Sequence, residues 1–388
     1  MKKRLLYVMG LLLTMASHAY SPQFDTVVVF GDSLSDNGNL YRYMLHLLPV
    51  SPPYYEGHFS DGPVWVEYLY DSFFPEDYRA GFQNYAVGGA GAVLSYKENL
   101  PYTLTFELDN YLYWHTYDHQ QSSLYSIWIG ANNYINEPTN VDELTSGVVA
   151  AIGSVTESLI ANGGDKFLMT NLPDLAQLPQ AKDSVNQALL TRLTLTHNQK
   201  LATLVDQLRD KYPEVLFISF DANQFFEEAK GHAQDYGVDN LVDPCYLGSY
   251  SGWLLSLVPD DETLHASLQQ QMPELNDQQW LMIKNNPQLH EAATTGYIFA
   301  LLPKTEELQC ANYLYWDHVH PTTNVHQLIA KKVKTLIDEA GLQPFWPPTL
   351  TKGQTDGRTN KQIAKKTRSG SFTKDWDATG GFAPSGVG

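Results

Sequence analysis

Five short runs recur along this chain, separated by longer stretches with helical spacing, and that alternation restricts the fold more than any other feature. The runs are Val27-Val28-Val29-Phe30, Gln83 to Val87, Leu124 to Ile129, Lys166 to Thr170 and Val215 to Phe220. Short, nearly continuous apolar runs of this kind suit strands buried on both faces. Between them, apolar residues fall at helical spacing over Leu40 to Leu48, Trp65 to Phe74, residues 100 to 120, Val141 to Ile160 and Asp183 to Tyr212. A last helix is expected over Asn324 to Ala340. Strands alternating with helices predict an α/β protein in three layers, with a central parallel sheet and helices on both faces.

Two stretches break the rhythm. Residues 49 to 63 are rich in Pro and Tyr, too irregular for a regular element and suited to a loop over a site. From Asn240 to Gln309 there are weak helical patterns, Glu262 to Gln271 and Asp277 to Ile283, and no strong strand. That insertion, 240 to 310, is bracketed by Cys245 and Cys310, the only two cysteines. Its length and position suit either a lid or a static subdomain.

The two ends differ from the body. Lys2, Lys3 and Arg4 precede an apolar run from Leu5 to Met15, and Ser17-His18-Ala19 supplies small residues where a signal peptidase cuts. Residues 1 to 19 are therefore expected to be a cleaved signal peptide of a secreted protein, since the run is too short to span a bilayer. No other uninterrupted apolar run approaches that length, so no transmembrane segment is expected. Residues 350 to 388 are rich in Gly, Ser, Thr and Lys and are expected to be a disordered tail, which leaves 22 to 349 as the folded domain.

Export bears on the cysteines. In an oxidising compartment Cys245 and Cys310 are read as one disulfide, the alternative being two free thiols. Closing a loop of about 65 residues is worth roughly 4 kcal/mol in the chain-entropy model. The formal net charge is −18, and both ends are basic, so the body is more acidic still. Phosphate backbones repel such a surface, which excludes nucleic acid as the principal partner and argues against binding to anionic lipid through a basic patch.

In an open parallel sheet, functional groups gather beyond the carboxyl ends of the strands. Four polar or glycine turns fall there: Asp32-Ser33, Gly88-Gly89, Asn132-Asn133, and Asp317 to His320 ahead of the last helix. Ser33, at a strand-to-helix turn, is placed to be a nucleophile, although Ser33, Asp36 and Asn39 also suit ordinary turn and cap roles. A serine hydroxyl needs a base near neutral pH, and histidine is the side chain suited to that task. Of twelve histidines, His320 is favoured, because Pro321 fixes the backbone behind it and Asp317 can hold its other ring nitrogen. His318 is given a surface or core role. His58, His115 and His119 lie in aromatic surroundings with no nearby acid and Ser turn, and receive none.

Phe30-Gly31-Asp32-Ser33-Leu34-Ser35-Asp36-Asn37-Gly38-Asn39 resembles the signature of the GDSL, or SGNH, hydrolases. The resemblance continues in order through Gly89 in Asn-Tyr-Ala-Val-Gly-Gly-Ala, Asn132 in Ile-Gly-Ala-Asn-Asn, and Asp317 with His320 in Asp-x-x-His-Pro. It covers roughly residues 24 to 340, and implies the flavodoxin-like three-layer α/β/α fold. One departure is Asn133, where the family commonly has an acid.

The resemblance implies an ester hydrolase with Ser33 as nucleophile, His320 as general base and then acid, and Asp317 as its orienter. Its oxyanion hole would comprise the backbone N–H groups of Ser33 and Gly89 and the Asn132 amide, with Gly88 one position away from the Gly89 assignment. Within the family, the export signal, the length and the paired cysteines most resemble bacterial secreted phospholipases A, lysophospholipases and glycerophospholipid-cholesterol acyltransferases. That implies phospholipid or lysophospholipid substrates, a sterol as an alternative acyl acceptor, and a protease that clips the insertion. A carbohydrate acetyl esterase uses the same catalytic residues but calls for a shallow, polar cleft, and a non-catalytic surface-binding module is disfavoured by the intact triad. No Cys or His cluster suggests a metal and no Gly-rich phosphate cradle suggests a nucleotide, so no cofactor is expected.

Overall fold

The computed structural model describes residues 21–44, 46, 48–49, 51–75, 81–94, 102–115, 122–135, 140–182, 184–247, 259–301 and 308–345. The expected signal peptide, 1–19, and the expected tail, 350–388, lie outside the described residues.

A two-residue strand, β1 (Gln23–Phe24), precedes the five runs, which assemble into one parallel sheet. Its strands are β2 (Thr26–Gly31), β3 (Phe82–Asn84), β4 (Ser123–Trp128), β5 (Lys166–Thr170) and β6 (Leu216–Phe220), in the spatial order β3-β2-β4-β5-β6. Val28 lies opposite Gln83 on one side and Tyr125 on the other. Every residue of β4 and β5 is buried, as strands covered on both faces must be.

The covering helices are α1 (Asn39–Tyr43), α2 (Trp65–Phe73), α3 (Leu104–His115), α4 (Ala131–Ile135), α5 (Val141–Ala161), α6 (Gln187–Lys211) and α7 (Ala222–Gly231). Three more, α8 (Asp261–Gln271), α9 (Asp277–Asn285) and α10 (Pro287–Leu301), belong to the insertion, and α11 (Thr323–Glu339) follows it. Side chains alternate across β4: the Tyr125 hydroxyl lies 2.8 Å from that of Tyr111 on α3, while the Trp128 ring meets Trp65 of α2 edge-on. Thus α3, with α5 and α6 packed beside it, covers one face, and α2 packed with α11 covers the other. Burying one side chain such as Phe30 or Leu124 contributes roughly 1.5–3 kcal/mol. By length and composition α5 could cross a membrane, but here Val148, Ile152, Val155 and Leu159 form its buried stripe in the core.

The sheet order reverses between β2 and β4, because the crossover from β2 to β3 runs to one side and the next returns to the other. A crevice opens beyond the carboxyl ends of strands at such a point.

Several expected boundaries shift. The helix expected over Leu40 to Leu48 is the single turn of α1, and the one from Asp183 begins at Gln187. The insertion does contain a strand: β7 (Asn240–Pro244) pairs in parallel with β8 (Tyr313–Tyr315). Neither is long or apolar enough to show periodicity, so the pairing is set by tertiary contact. A third insertion helix, α10, was not apparent from the pattern. Cys245 and Cys310 form a disulfide at the neck of the insertion. At the edge of the domain β9 (Gln343–Pro344) pairs with β1, bringing the two ends of the domain together.

Candidate active site

Ser33 stands two residues past β2, on a turn that the strand end itself imposes. Gly31 lies so close to β4 that a Cβ there would meet the Trp128 carbonyl oxygen at 2.6 Å. Beyond it the N–H groups of Ser35 and Asp36 both donate to the Asp32 carbonyl, at 2.9 and 3.0 Å, curling the chain back with the Ser33 side chain on the rim. Among the described residues no acceptor takes the Ser33 backbone N–H.

Asp36 organises the surroundings of that turn. Its buried carboxylate accepts the N–H groups of Gly38, Asn39 and Leu40, at 2.8, 2.5 and 3.0 Å, starting α1. It also accepts the N–H of Gly88 at 2.7 Å, so it ties the first turn to the glycine turn after β3. Asn39 adds two further ties, donating to the carbonyls of Asn84 and Ala86 at 2.9 and 2.8 Å. The Gly88 N–H is therefore committed to Asp36. Gly89 has φ +75, a backbone conformation favoured by glycine.

The third turn begins at Gly130, whose φ of +124 turns the chain into α4. Asn132 donates its side-chain amide to the Ala90 carbonyl at 3.0 Å and lines the same crevice as Ser33. Asn133, at the position where the resemblance leads one to expect an acid, uses both halves of its amide. Its oxygen accepts the Ala92 N–H at 2.8 Å and its nitrogen donates to the Val93 carbonyl at 2.7 Å. A carboxylate could only accept, so the amide is the group that satisfies both partners. Behind it the Tyr134 hydroxyl is 2.8 Å from Nδ1 of the buried His197, which anchors α4 to α6.

The fourth turn lies between β8 and α11. Asp317 Oδ1 accepts the N–H groups of Val319 and His320, at 2.8 and 2.7 Å, closing the loop on itself. His320 Nδ1 is 2.8 Å from Asp317 Oδ2 and 3.0 Å from Oδ1, while its Nε2 is 2.8 Å from Ser33 Oγ. With a carboxylate on Nδ1, that nitrogen carries the proton, and Nε2 is left to accept from the serine hydroxyl. Burial alone would raise the Asp317 carboxyl. The His320 ring, the Tyr54 hydroxyl and the His320 N–H outweigh it, and the pKa is lowered.

Three further buried carboxyls lie around the nucleophile turn. Burial pushes Asp32 up to about 6, and it also raises Asp36 and Glu107. Glu107, on α3, accepts the N–H of Gly31 at 2.8 Å and so buttresses the end of β2 from below.

The structure thus brings Ser33, Asp317 and His320 into one hydrogen-bonded line and sets Asn132 in the same crevice. His318 is not part of it; its carbonyl accepts the Gln180 N–H at 3.0 Å. His115 stacks on Tyr111, and His119 lies outside the described residues. For His58 the expectation of no nearby acid is corrected: Glu67 Oε2 is 2.8 Å from its Nε2. Two sites that pattern reading passed over are Tyr54, whose hydroxyl donates to Asp317 Oδ2 at 2.6 Å, and Glu107. Nothing local marks either, since their partners lie far away in the chain.

From Ser33 the crevice runs between Leu34, Ile135, Leu175, Leu178, Phe226 and Val319, with Asp174 and Lys230 among its few charged groups. Its walls are mostly carbon. Among the described residues, no group of three or more His, Cys, Asp or Glu side chains is arranged to hold a metal ion.

The sequence profile of the GDSL-like lipase/acylhydrolase family matches residues 27–333. Phosphatidylcholine-sterol acyltransferase of Aeromonas hydrophila is 33% identical over 345 residues, covering 87% of this chain and 98% of that protein. The secreted effector protein SseJ of Salmonella typhimurium is 25% identical over 313 residues, covering 80% of this chain and 63% of its own. Thermolabile hemolysin of Vibrio parahaemolyticus is 23% identical over 323 residues, with the same two coverages. The chain therefore spans somewhat under two thirds of the length of the latter two.

Proposed function

The chain belongs to the GDSL-like lipase/acylhydrolase family and is an ester hydrolase; from that premise we propose that it cleaves fatty acyl esters of glycerophospholipids through an acyl-enzyme on Ser33. The observation that carries this proposal is the 2.8 Å contact between Ser33 Oγ and His320 Nε2, with Asp317 on the other ring nitrogen.

In the first half-reaction Ser33 Oγ attacks the acyl carbonyl carbon while its proton passes to His320 Nε2. The negative charge that develops on the carbonyl oxygen faces the N–H groups of Ser33 and Gly89 and the amide of Asn132. Asp317, held ionised by its donors, stabilises the imidazolium without taking its proton. Collapse breaks the bond to the glycerol oxygen, which leaves with the proton from Nε2. In the second half a water, deprotonated by Nε2, attacks the acyl carbon; the fatty acid departs and Ser33 regains its proton. A sterol hydroxyl in place of the water gives acyl transfer by the same steps.

The substrate class is supported by the carbon-lined crevice, which suits an acyl chain and not the polar surface of an acetylated carbohydrate, and by the words phosphatidylcholine-sterol acyltransferase in a relative's name. Secretion is supported by the charged and apolar pattern of residues 1–19 and by the secreted effector among the relatives.

Product analysis tests this directly, with phosphatidylcholine, lysophosphatidylcholine and cholesterol offered together to the wild type and to Ser33→Ala. Fatty acid or steryl ester is expected from the first and neither from the second, with long-chain p-nitrophenyl esters cleaved faster than acetate. Turnover surviving in Ser33→Ala overturns the mechanism, and a preference for acetate overturns the substrate class.

A further inference from the structure

We propose that Tyr54 is a positioning residue for the reaction, acting on His320 through Asp317, and that residues 51–63 form the strap that delivers it. The inference rests on the catalytic reading of Ser33, His320 and Asp317.

The two oxygens of Asp317 are held differently. Oδ1 is fixed from within its own loop, by the N–H groups of Val319 and His320. Oδ2, the oxygen closer to His320 Nδ1, takes its second hydrogen bond from a residue 263 positions away, the Tyr54 hydroxyl, at 2.6 Å. A bond from a distant, rigid ring fixes the twist of the carboxylate about its Cβ–Cγ bond, and thereby the plane in which the imidazole must lie. It also draws charge from Oδ2, which sets how strongly Asp317 favours the imidazolium.

Tyr54 is suited to this because its ring is buried and packed on several sides. It is 6% exposed and meets Tyr246 and Trp316 edge-on, at ring-centre distances of 5.7 and 5.8 Å. Those rings form a small cluster with Cys310 of the neck disulfide, apart from the main core.

The rest of the strap grips the same loop at successive points. Phe59 packs on the His320 ring with centres 5.1 Å apart. The Ser60 hydroxyl donates to the Pro321 carbonyl at 2.9 Å, and Asp61 accepts the Thr323 N–H at 2.7 Å. The strap is latched in turn by His58, whose two ring nitrogens lie 2.8 Å from the Tyr55 carbonyl and 2.8 Å from Glu67 of α2. Burial alone would lower the pKa of this ring, but the hydrogen bond and charge of Glu67, with the Tyr55 carbonyl, outweigh it and raise it. Residues 51–63 thus bear on the base from one side while β2 presents the nucleophile from the other.

Tyr54→Phe removes one oxygen and keeps the ring. Its kcat is expected to fall about tenfold with KM within about twofold, since the lost bond acts on the transition state and not on the substrate. The acid limb of the kcat/KM profile is expected to move to higher pH, because an Oδ2 relieved of its donor holds the imidazolium more tightly. The melting temperature, read alongside, is expected to change little, and Tyr113→Phe on the exposed end of α3 serves as the unaffected control. Unchanged kcat and an unmoved limb in Tyr54→Phe overturn the inference, as does a change confined to KM, which would make Tyr54 a substrate contact. If instead Ser33→Ala or His320→Ala retains full turnover, it is the catalytic reading that fails, whatever Tyr54 does.

Discussion

Ser33 Oγ and His320 Nε2 stand 2.8 Å apart although 287 positions separate them in the chain. The first stands just past the carboxyl end of a central strand buried from Val27 onward, the second on a loop closed by its own Asp317 and clamped from outside by residues 51–63. A line of contacts built from such rigid parts needs little rearrangement to react.

The Asn132 amide is one of three expected donors to the oxyanion. Asn132→Ala is expected to lower kcat about 10²- to 10³-fold with KM little changed, the usual cost of one such donor. Steady-state kinetics on a soluble ester, with circular dichroism to verify folding, checks this. A loss below tenfold would remove Asn132 from the hole.

Asn133 both accepts from Ala92 and donates to Val93. Asn133→Asp keeps the acceptor and sets a carboxylate against a carbonyl oxygen, so a destabilisation of about 1–3 kcal/mol is expected at neutral pH. Near pH 4 the protonated carboxyl regains a donor and the deficit should shrink. Urea unfolding of the two proteins at both pH values measures it.

Asp32 carries a pKa raised to about 6 by burial. The unfolded value is near 3.9, so ionising the native group costs stability, and the cost builds from about pH 4 to about pH 6 and is complete above. Asp32→Asn escapes that cost while its oxygen still accepts the Leu34 N–H. The variant is expected to match the wild type at pH 4 and to exceed it by about 2–3 kcal/mol at pH 7. It should also lose activity, because Asp32 lies where its charge favours the His320 cation. Melting curves across that range decide the sign, and equal gains at both pH values would show that charge is not the cause.

The disulfide closes a loop of 65 positions. Opening it with reductant, or as Cys245→Ser with Cys310→Ser, is expected to cost up to about 4 kcal/mol. Cys310 also packs with Tyr54 and Trp316, so turnover is expected to fall under conditions where the reduced protein remains folded. Chemical denaturation and ester assays on the same samples separate the two effects.

Pattern reading reached the sheet because its central strands are buried on both faces, and such strands are apolar over most of their length whatever their neighbours are. Val27 to Phe30, Leu124 to Ile129 and Lys166 to Thr170 declare themselves for that reason. The four site turns were legible too, since three stand within a few residues of a strand end, the fourth stands just ahead of the last helix, and each is marked by polar residues or glycines. What escaped were contacts between distant segments: β7 on β8, Glu67 on His58, Glu107 on Gly31, Tyr54 on Asp317.

On its own, then, the chain's order of residues determined the alternating strands and helices of the main sheet, the direction in which its strands run, and which residues stand ready at their ends, for these follow from local periodicity and turn chemistry. Only the tertiary structure decided how Asp317 is oriented, why Asn133 serves where an acid is usual, and what holds the base in line with Ser33. Those outcomes depend on hydrogen bonds and ring contacts whose partners lie 40 to more than 260 positions away, and separation along the chain carries no mark of such a meeting until packing brings the surfaces together.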